Sequence, residues 1–340
     1  MANPDETPVL SLYSTTPQSK DVPSDEYLDV IVERARWADD LGYAGTLIDT
    51  DNGIVDPWFL AQVVIQNTEQ LTPLIATQPA YMHPYTCAKL ISTLAYVHHR
   101  RVCLNMVAGG FTHDLQAMGA HTPHDERYLR LQEYTEIVLA LAAGERPVTL
   151  DGDYYQVTNL TLTPPIPSEL SPGIFLSGTS EQGLATARAL DAVEVRYPRP
   201  ADIEDVGTPG RSCVRVGIIV RDTEEQAWEY AHERFPPDRK GELTHQVAMK
   251  VSDSSWHQTL SQRDETWDVD QSFWLHPFQS YKTFCPYLVG SYEQVAESLA
   301  AYMSRGYWTF ILDIPESREE MEQIVRAFDL AQLNLNTPVS

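Results

Sequence analysis

Cysteine is scarce in this chain of 340 residues: there are four, Cys87, Cys103, Cys213 and Cys285, all far apart. No CxxC pair and no Cys/His spacing of a zinc site occurs, and four scattered thiols make no disulfide framework. No apolar run approaches the ~18 residues of a membrane helix. The opening MANPDETPVL lacks the basic and apolar regions of a secretory signal, so a cytoplasmic protein is expected. Positive charge is also short: Lys+Arg number 24 against 48 Asp+Glu, a formal net charge of −24. Such a surface repels nucleic acid and anionic membrane, and neither is expected as a partner. It repels anionic ligands at long range too, so any phosphate site must be built from local donors. Signatures of self-sufficient catalysis are missing as well. There is no HExxH, no nucleophile elbow, and no GxGxxG opening the first βα turn.

What is present is a rhythm. Hydrophobic residues make up 43% and charged ones 21%, an ordinary globular balance. The apolar runs VLSLYS, YAGTLID, LTPLIATQP, RVCLNMVAG, FLSG, DAVEVRYP, VRVGIIVR and WTFILDI read as buried strands. Between them lie stretches with helical spacing, among them YLDVIVERARWADDLG, PWFLAQVVIQNTEQL with Pro57 in its first turn, HPYTCAKLISTLAYVHH and HDERYLRLQEYTEIVLALAAG. Short links and strict alternation imply parallel strands joined by crossover helices. Eight such units predict an α/β fold, a (β/α)8 TIM barrel spanning 1–340 as one domain. VTLDGDYYQVTNLTL is a β excursion with a turn at Asp-Gly. Segment 236–285, polar and rich in aromatics, breaks the rhythm and is expected to be an insertion between late barrel units. Its Trp256, Trp267, Phe273, Trp274, Phe278 and Tyr281 suit either a lid over an apolar substrate or a satellite core.

In a barrel the C-terminal strand ends line the site. Here they supply mostly neutral polar groups: Ser14 and Thr15, Asp49 to Asn52, Thr77 and Gln78, Asn105, Ser177 to Ser180, Arg196 and Tyr197. With no acid/base pair or metal clamp among them, an organic cofactor is expected to carry the chemistry. FLSGTS, running straight into EQGLATARALD, places two serines, a threonine and a glycine where a strand hands over to a helix. Two readings stand: a simple N-cap by Thr179 or Ser180, or a phosphate cradle of free backbone donors, hydroxyls and a close-approach glycine.

The ordered set YAGTLIDTDNGIVDPW, LTPLIATQPAYMHPYTCAKLISTLAYVHHRRVCLNMVAGG, HDERYLRLQEYTEIV, PGIFLSGTSEQGLATARALD, VRVGIIVRDTEEQAW and LVGSYEQVAESLAAYMSRGYWTFIL resembles the bacterial-luciferase-like flavin monooxygenases, most of all the alkanesulfonate monooxygenase branch. The resemblance implies that Ser177, Gly178, Thr179 and Ser180, with Arg127 and Tyr128 of HDERY, hold the phosphate of reduced FMN. It implies that Asn105 lies near the flavin ring, that Gln78 and Thr77 contact its edge, and that Arg215 meets the substrate, with Asn105 and Arg215 as catalytic residues. Each has a plainer reading too: an ion pair with Glu126 or Glu133 for Arg127, a strand-end loop cap for Asn105, a rim salt bridge for Arg215. The histidine that sulfonate enzymes carry two positions after that arginine is Gly217 here. Their cysteine after the second strand is replaced by Ile54 or Val55, and their N-terminal histidine falls within Ser14 to Pro17. Near SYKTFCPYLVG this chain has Tyr281 and Lys282 but no counterpart of the lid arginine. The flavin half of the site is kept and the sulfonate half is lost.

The resemblance therefore implies a two-component monooxygenase. Reduced FMN would come from a separate flavin reductase, O2 would be co-substrate, and a small organic molecule other than a simple alkanesulfonate would be oxygenated by a homo-oligomer. A deazaflavin-dependent oxidoreductase and an inactive flavin-binding partner subunit share the fold and stay open. His98-His99-Arg100-Arg101, at a helix C-terminus where cations suit the dipole, is read as structural. His113, His121 and His124 are assigned no role as a base.

Overall fold

The computed structural model describes residues 8–109, 112–251, 260–261 and 272–336. Its strands are β1 (Ser11–Thr15), β2 (Gly45–Ile48), β3 (Thr72–Thr77), β4 (Cys103–Val107), β5 (Val148–Asp151), β6 (Gln156–Leu160), β7 (Gly173–Ser177), β8 (Val193–Arg196), β9 (Ser212–Arg221), β10 (Phe273–Trp274), β11 (Tyr287–Ser291) and β12 (Thr309–Leu312). The order β9-β12-β1-β2-β3-β4-β7-β8, with β8 also pairing to β9, is the closed ring of a (β/α)8 barrel. Its members are the eight apolar runs of the sequence. β5 and β6 form the separate antiparallel hairpin expected around Asp151-Gly152. β11 and β10 lie outside the eight predicted runs. The chain divides into two compact units, with breaks after Thr15, Glu194 and Lys250.

In the unit that runs from Thr16 to Glu194, β2, β3, β4 and β7 are parallel neighbours. Parallel strands covered by crossover helices are buried on both faces, which is why they read as unbroken apolar runs; every residue of β2 is buried. Helix starts follow local chemistry. Asp56 caps Pro57–Asn67 by accepting from the Trp58 and Phe59 amides, and His83 caps Pro84–His98 through the Tyr85 amide, with proline at the first helical position in both. Gly144 ends His124–Ala143 in the left-handed conformation, φ 63°. Two carboxylates hold loops by taking three backbone donors each. Asp39 accepts from Glu69, Gln70 and Leu71 at 2.6, 3.0 and 2.7 Å. Glu133 accepts from Asp153, Tyr154 and Tyr155 at 3.0, 2.9 and 3.0 Å. Arg100 and Arg101 donate to the carbonyls of Thr68, Leu71 and Ser171, so these two cations hold loops.

The other unit holds the parallel strands β1, β12, β9 and β11, with β10 antiparallel to β11. The Tyr292–Ser304 helix begins with a full capping box between Ser291 and Gln294. Of the predicted insertion 236–285, Trp256 and Trp267 lie outside the described residues. Trp274 packs edge-on to Trp228 (5.4 Å between ring centroids), His232 (5.5 Å) and Phe235 (6.0 Å). Phe278 is 1% exposed. Both aromatics pack against neighbours of this unit. Beside this cluster the Arg234 guanidinium meets Glu320 at 2.6 Å and the Ile314 carbonyl at 2.7 Å, with the arginine side chain 9% and the glutamate 3% exposed.

Removing one partner of a buried pair strands the other charge, whereas an exposed i,i+4 pair contributes little. Arg234→Ala is therefore expected to lower the unfolding free energy by about 3 kcal/mol. Arg318→Ala, which breaks the exposed pair with Glu322, is expected to lower it by less than about 0.5 kcal/mol. Urea denaturation of both variants checks the contrast; equal losses would refute it.

Candidate active site

The FLSGTS turn caps a helix. Ser180 is the N-cap of helix Glu181–Ala189, its hydroxyl oxygen accepting from the Gly183 amide at 3.1 Å. That bond uses a lone pair and leaves the hydroxyl proton free to donate. Against this turn lies Tyr128, 6% exposed. A Cβ added to Gly178 would sit 2.2 Å from the Tyr128 hydroxyl oxygen and 3.0 Å from its Cζ, and one on Gly183 would sit 3.1 Å from the same ring. The two glycines are therefore the recess into which the phenol fits. HDERY and SGTS, 49 residues apart from Tyr128 to Ser177 in the sequence, meet at one point beside a helix N-terminus.

Ser177 takes another part. Its hydroxyl donates to the Asn105 side-chain oxygen at 2.9 Å, which turns the Asn105 amide nitrogen, a donor, the other way. Asn105 is 3% exposed on β4, where its Cα partners are Ala76 of β3 and Phe175 of β7. Thus the turn residue orients the strand residue. Gln78, 8% exposed, follows β3 directly and approaches Gly109: a Cβ on that glycine, φ +93°, would lie 3.4 Å from the Gln78 amide carbon. Thr77 is spent locally, its hydroxyl donating to the Ile75 carbonyl at 3.2 Å.

Arg127 and Tyr128 diverge, because consecutive helical residues point about 100° apart. Arg127, 6% exposed, donates to the Thr122 carbonyl at 3.3 Å. With Arg130, Pro79, Ala108, Leu115 and Thr122 it lines a small, water-sized cleft that is partly open to solvent. Arg130 is held there by the Tyr155 hydroxyl at 3.1 Å and the Pro79 carbonyl at 3.2 Å. His124, given no role from sequence, stands edge-on to Tyr128 with ring centroids 5.2 Å apart and touches Asp125 at 2.8 Å. The missed signal was its spacing: positions 124 and 128 are i and i+4 on one helix face.

Arg215 belongs to the other unit. It is 5% exposed on β9, opposite Ile311 of β12. Two residues on, the histidine of the sulfonate enzymes has no counterpart and no room for one. A Cβ on Gly217 would lie 2.3 Å from the ring of Tyr287, its register partner on β11. Tyr287 is 1% exposed and its hydroxyl donates to Asp313 at 2.7 Å. Burial foremost, then the Asp313 carboxylate, hold this phenol well above its ordinary pKa, so it stays protonated.

A (β/α)8 barrel whose strand ends carry hydroxyl and amide groups, such as Asn105, Ser177 and Ser180, belongs to a scaffold class that hosts many enzyme chemistries. Comparison with known proteins narrows it. The profile of the luciferase-like monooxygenases matches residues 9–308. The chain is 38% identical over 308 residues to 4-(gamma-L-glutamylamino)butanoyl-[BtrI acyl-carrier protein] monooxygenase BtrO of Niallia circulans, covering 87% of this chain and 89% of that one. The chain belongs to the luciferase-like monooxygenase family. Among solved structures it resembles long-chain alkane monooxygenase LadA, with a TM-score of 0.71, 17% identity, and 97% and 92% of the two chains covered. It also resembles an F420-dependent secondary alcohol dehydrogenase, with a TM-score of 0.65, 14% identity, and 95% and 99% covered. No described helix is long and apolar enough to cross a membrane.

If Tyr128 fits because Gly178 has no side chain, Gly178→Ala should destabilise the protein by about 1–3 kcal/mol through overpacking. Tyr128→Phe in the same chain should recover part of that loss by removing the closest atom. Thermal unfolding of the two single variants and the double variant tests this, and strictly additive effects would break the link.

Proposed function

We propose that this protein is a two-component monooxygenase. It takes reduced FMN from a separate flavin reductase and, with O2, puts one oxygen atom on an acyl group that an acyl-carrier protein presents as a thioester. The observation that carries the flavin reading is the meeting of Tyr128 with the Ser177–Ser180 turn at the start of a helix. Backbone amides of the first helical turn, the Ser180 and Thr179 hydroxyls and the phenol form a donor set suited to a phosphate monoester. In a chain of net charge −24, local donors are the sole means of holding such a dianion. Arg127 adds charge from the adjacent cleft, and His124 a further donor beside Tyr128.

Reduced FMN, when bound, supplies the two electrons with which O2 gives one oxygen atom to the substrate and the other to water. The protein's share is placement. Asn105, oriented by Ser177, and Gln78 present amides to the ring, and Arg215 meets the substrate. The acyl-carrier reading rests on the substrate in the name of the relative at 38% identity. It agrees with the loss of the sulfonate set, since the ring of Tyr287 covers Gly217. A deazaflavin reading keeps one point in its favour, the likeness to an F420-dependent enzyme.

Anaerobic titration decides between the cofactors. The wild type is expected to bind reduced FMN and not reduced F420; the reverse result would establish the deazaflavin reading. Tyr128→Phe, Arg127→Ala and His124→Ala should each raise the dissociation constant of reduced FMN about tenfold, the size of one charge-assisted hydrogen bond. An unchanged constant in all three would remove the phosphate assignment. Arg215→Ala should leave that constant alone and lower turnover, with 18O from O2 traced into the product.

A further inference from the structure

Helix Arg239–Val251 is the part of the molecule that the proposed chemistry does not use. One face is anchored. His245, 5% exposed, packs edge-on to Phe278 with ring centroids 4.8 Å apart. A Cβ on Gly241 would lie 2.1 Å from the Ser280 carbonyl oxygen, so the helix backbone is pressed against that turn. Asp238 and Lys282 close the same contact with an ion pair of 2.6 Å.

The opposite face is bare. Leu243 and Val247, one turn apart, are 56% and 62% exposed. Arg239 and Lys240, both exposed, continue the stripe at i−4 and i−3 from Leu243. Other cations of the chain are engaged, for example Arg36 with Asn67, Arg188 with Glu194 and Arg326 with Asp222. Among the described residues the side chains of Arg239 and Lys240 take part in no hydrogen bond or ion pair. Two cations in a first helical turn also oppose the helix dipole. Asp238, which accepts from the Gly241 amide at 2.9 Å, and Glu242 offset that opposition only in part. The stripe thus sets two uncommitted cations beside exposed apolar surface.

We infer that the Arg239–Lys240–Leu243–Val247 stripe docks the acidic acyl-carrier protein that presents the substrate. The inference rests on the carrier-bound substrate proposed above. Carrier proteins are small and strongly acidic, and they hold the acyl chain on a flexible phosphopantetheine arm. An enzyme of net charge −24 repels such a partner at long range, so productive encounter requires a local patch of unspent positive charge beside apolar surface. This helix supplies both.

The test uses the full chain, the double variants Arg239→Glu/Lys240→Glu and Leu243→Ser/Val247→Ser, and two probes. One probe is the BtrI acyl-carrier protein loaded with 4-(gamma-L-glutamylamino)butanoate; the other is the pantetheine thioester of the same acyl group. Fluorescence anisotropy should show each double variant binding the loaded carrier about tenfold or more weakly, and the charge variant should lose the salt dependence of binding. Turnover of the pantetheine thioester and affinity for reduced FMN should not change. Wild-type binding of the carrier with unchanged affinity in both variants would overturn the stripe alone. Equal losses on both probes, or a change of sedimentation coefficient that marks the stripe as a self-contact, would also overturn it. A wild type that oxygenates the thioester but does not bind the carrier, or that recognises neither probe, would remove the carrier reading and the stripe together.

Discussion

The contact between Tyr128 and Gly178 is the constraint on which the candidate site depends. A phenol delivered by the His124–Ala143 helix fits into the turn after β7 because a Cβ at residue 178 would come within 2.2 Å of its oxygen. That fit fixes how the helix meets the strand end. It positions the N-terminus of the Glu181–Ala189 helix, which Ser180 caps. Through Ser177 the same turn reaches Asn105 two strand positions below its end. The turn after β7 and a polar group deeper in β4 are therefore one mechanical unit, and the two are not independently adjustable.

Charge sets the second constraint. With twice as many acids as bases, most arginines here are consumed internally, donating to backbone carbonyls or to acids. Arg100 and Arg101 secure loops, while Arg234 is buried between Glu320 and the Ile314 carbonyl. Acids are consumed in the same way: Asp39 and Glu133 each collect three amides. What remains outside is a repulsive surface with few unspent cations. Anions can then be bound where backbone amides and buried arginines are gathered, which is the arrangement at the Ser177–Ser180 turn and in the Arg127 cleft.

The eight ring strands were legible in the sequence because burial on both faces leaves no polar alternation, and the crossover helices were legible from spacing and caps such as Asp56-Pro57. The turn after β7 was legible too, since small hydroxyl residues around a glycine at a strand-to-helix junction have few other uses. β11 was not, because LVGS is short and its pairing with β9 is set by register rather than by composition. The short helix Thr112–Ala117 carries too few apolar residues to show a period. His124 was hidden by a reading that looked for a base and not for a neighbour of Tyr128. The divergence of Arg127 from Tyr128 follows from helix geometry, yet which of the two meets the turn depends on how the helix is rotated, and tertiary packing decides that.

Gly217 shows how one strand position is bound to its neighbour on the next strand. A glycine in a central strand weakens it unless something else fills the space. Here Tyr287 does so from β11, and its hydroxyl is tied to Asp313 just beyond β12. The exchange is coupled: a histidine at residue 217 would require Tyr287 to leave, and its departure would empty the core shared with Ile219, Phe235 and Val289. A buried tyrosine, an acid and a glycine on three neighbouring segments thus form a set that changes together or not at all. That coupling ties the glycine at residue 217 to the tyrosine at residue 287, whereas the turn after β7 is fitted to Tyr128 through Gly178 and Gly183 in the other unit and does not depend on it.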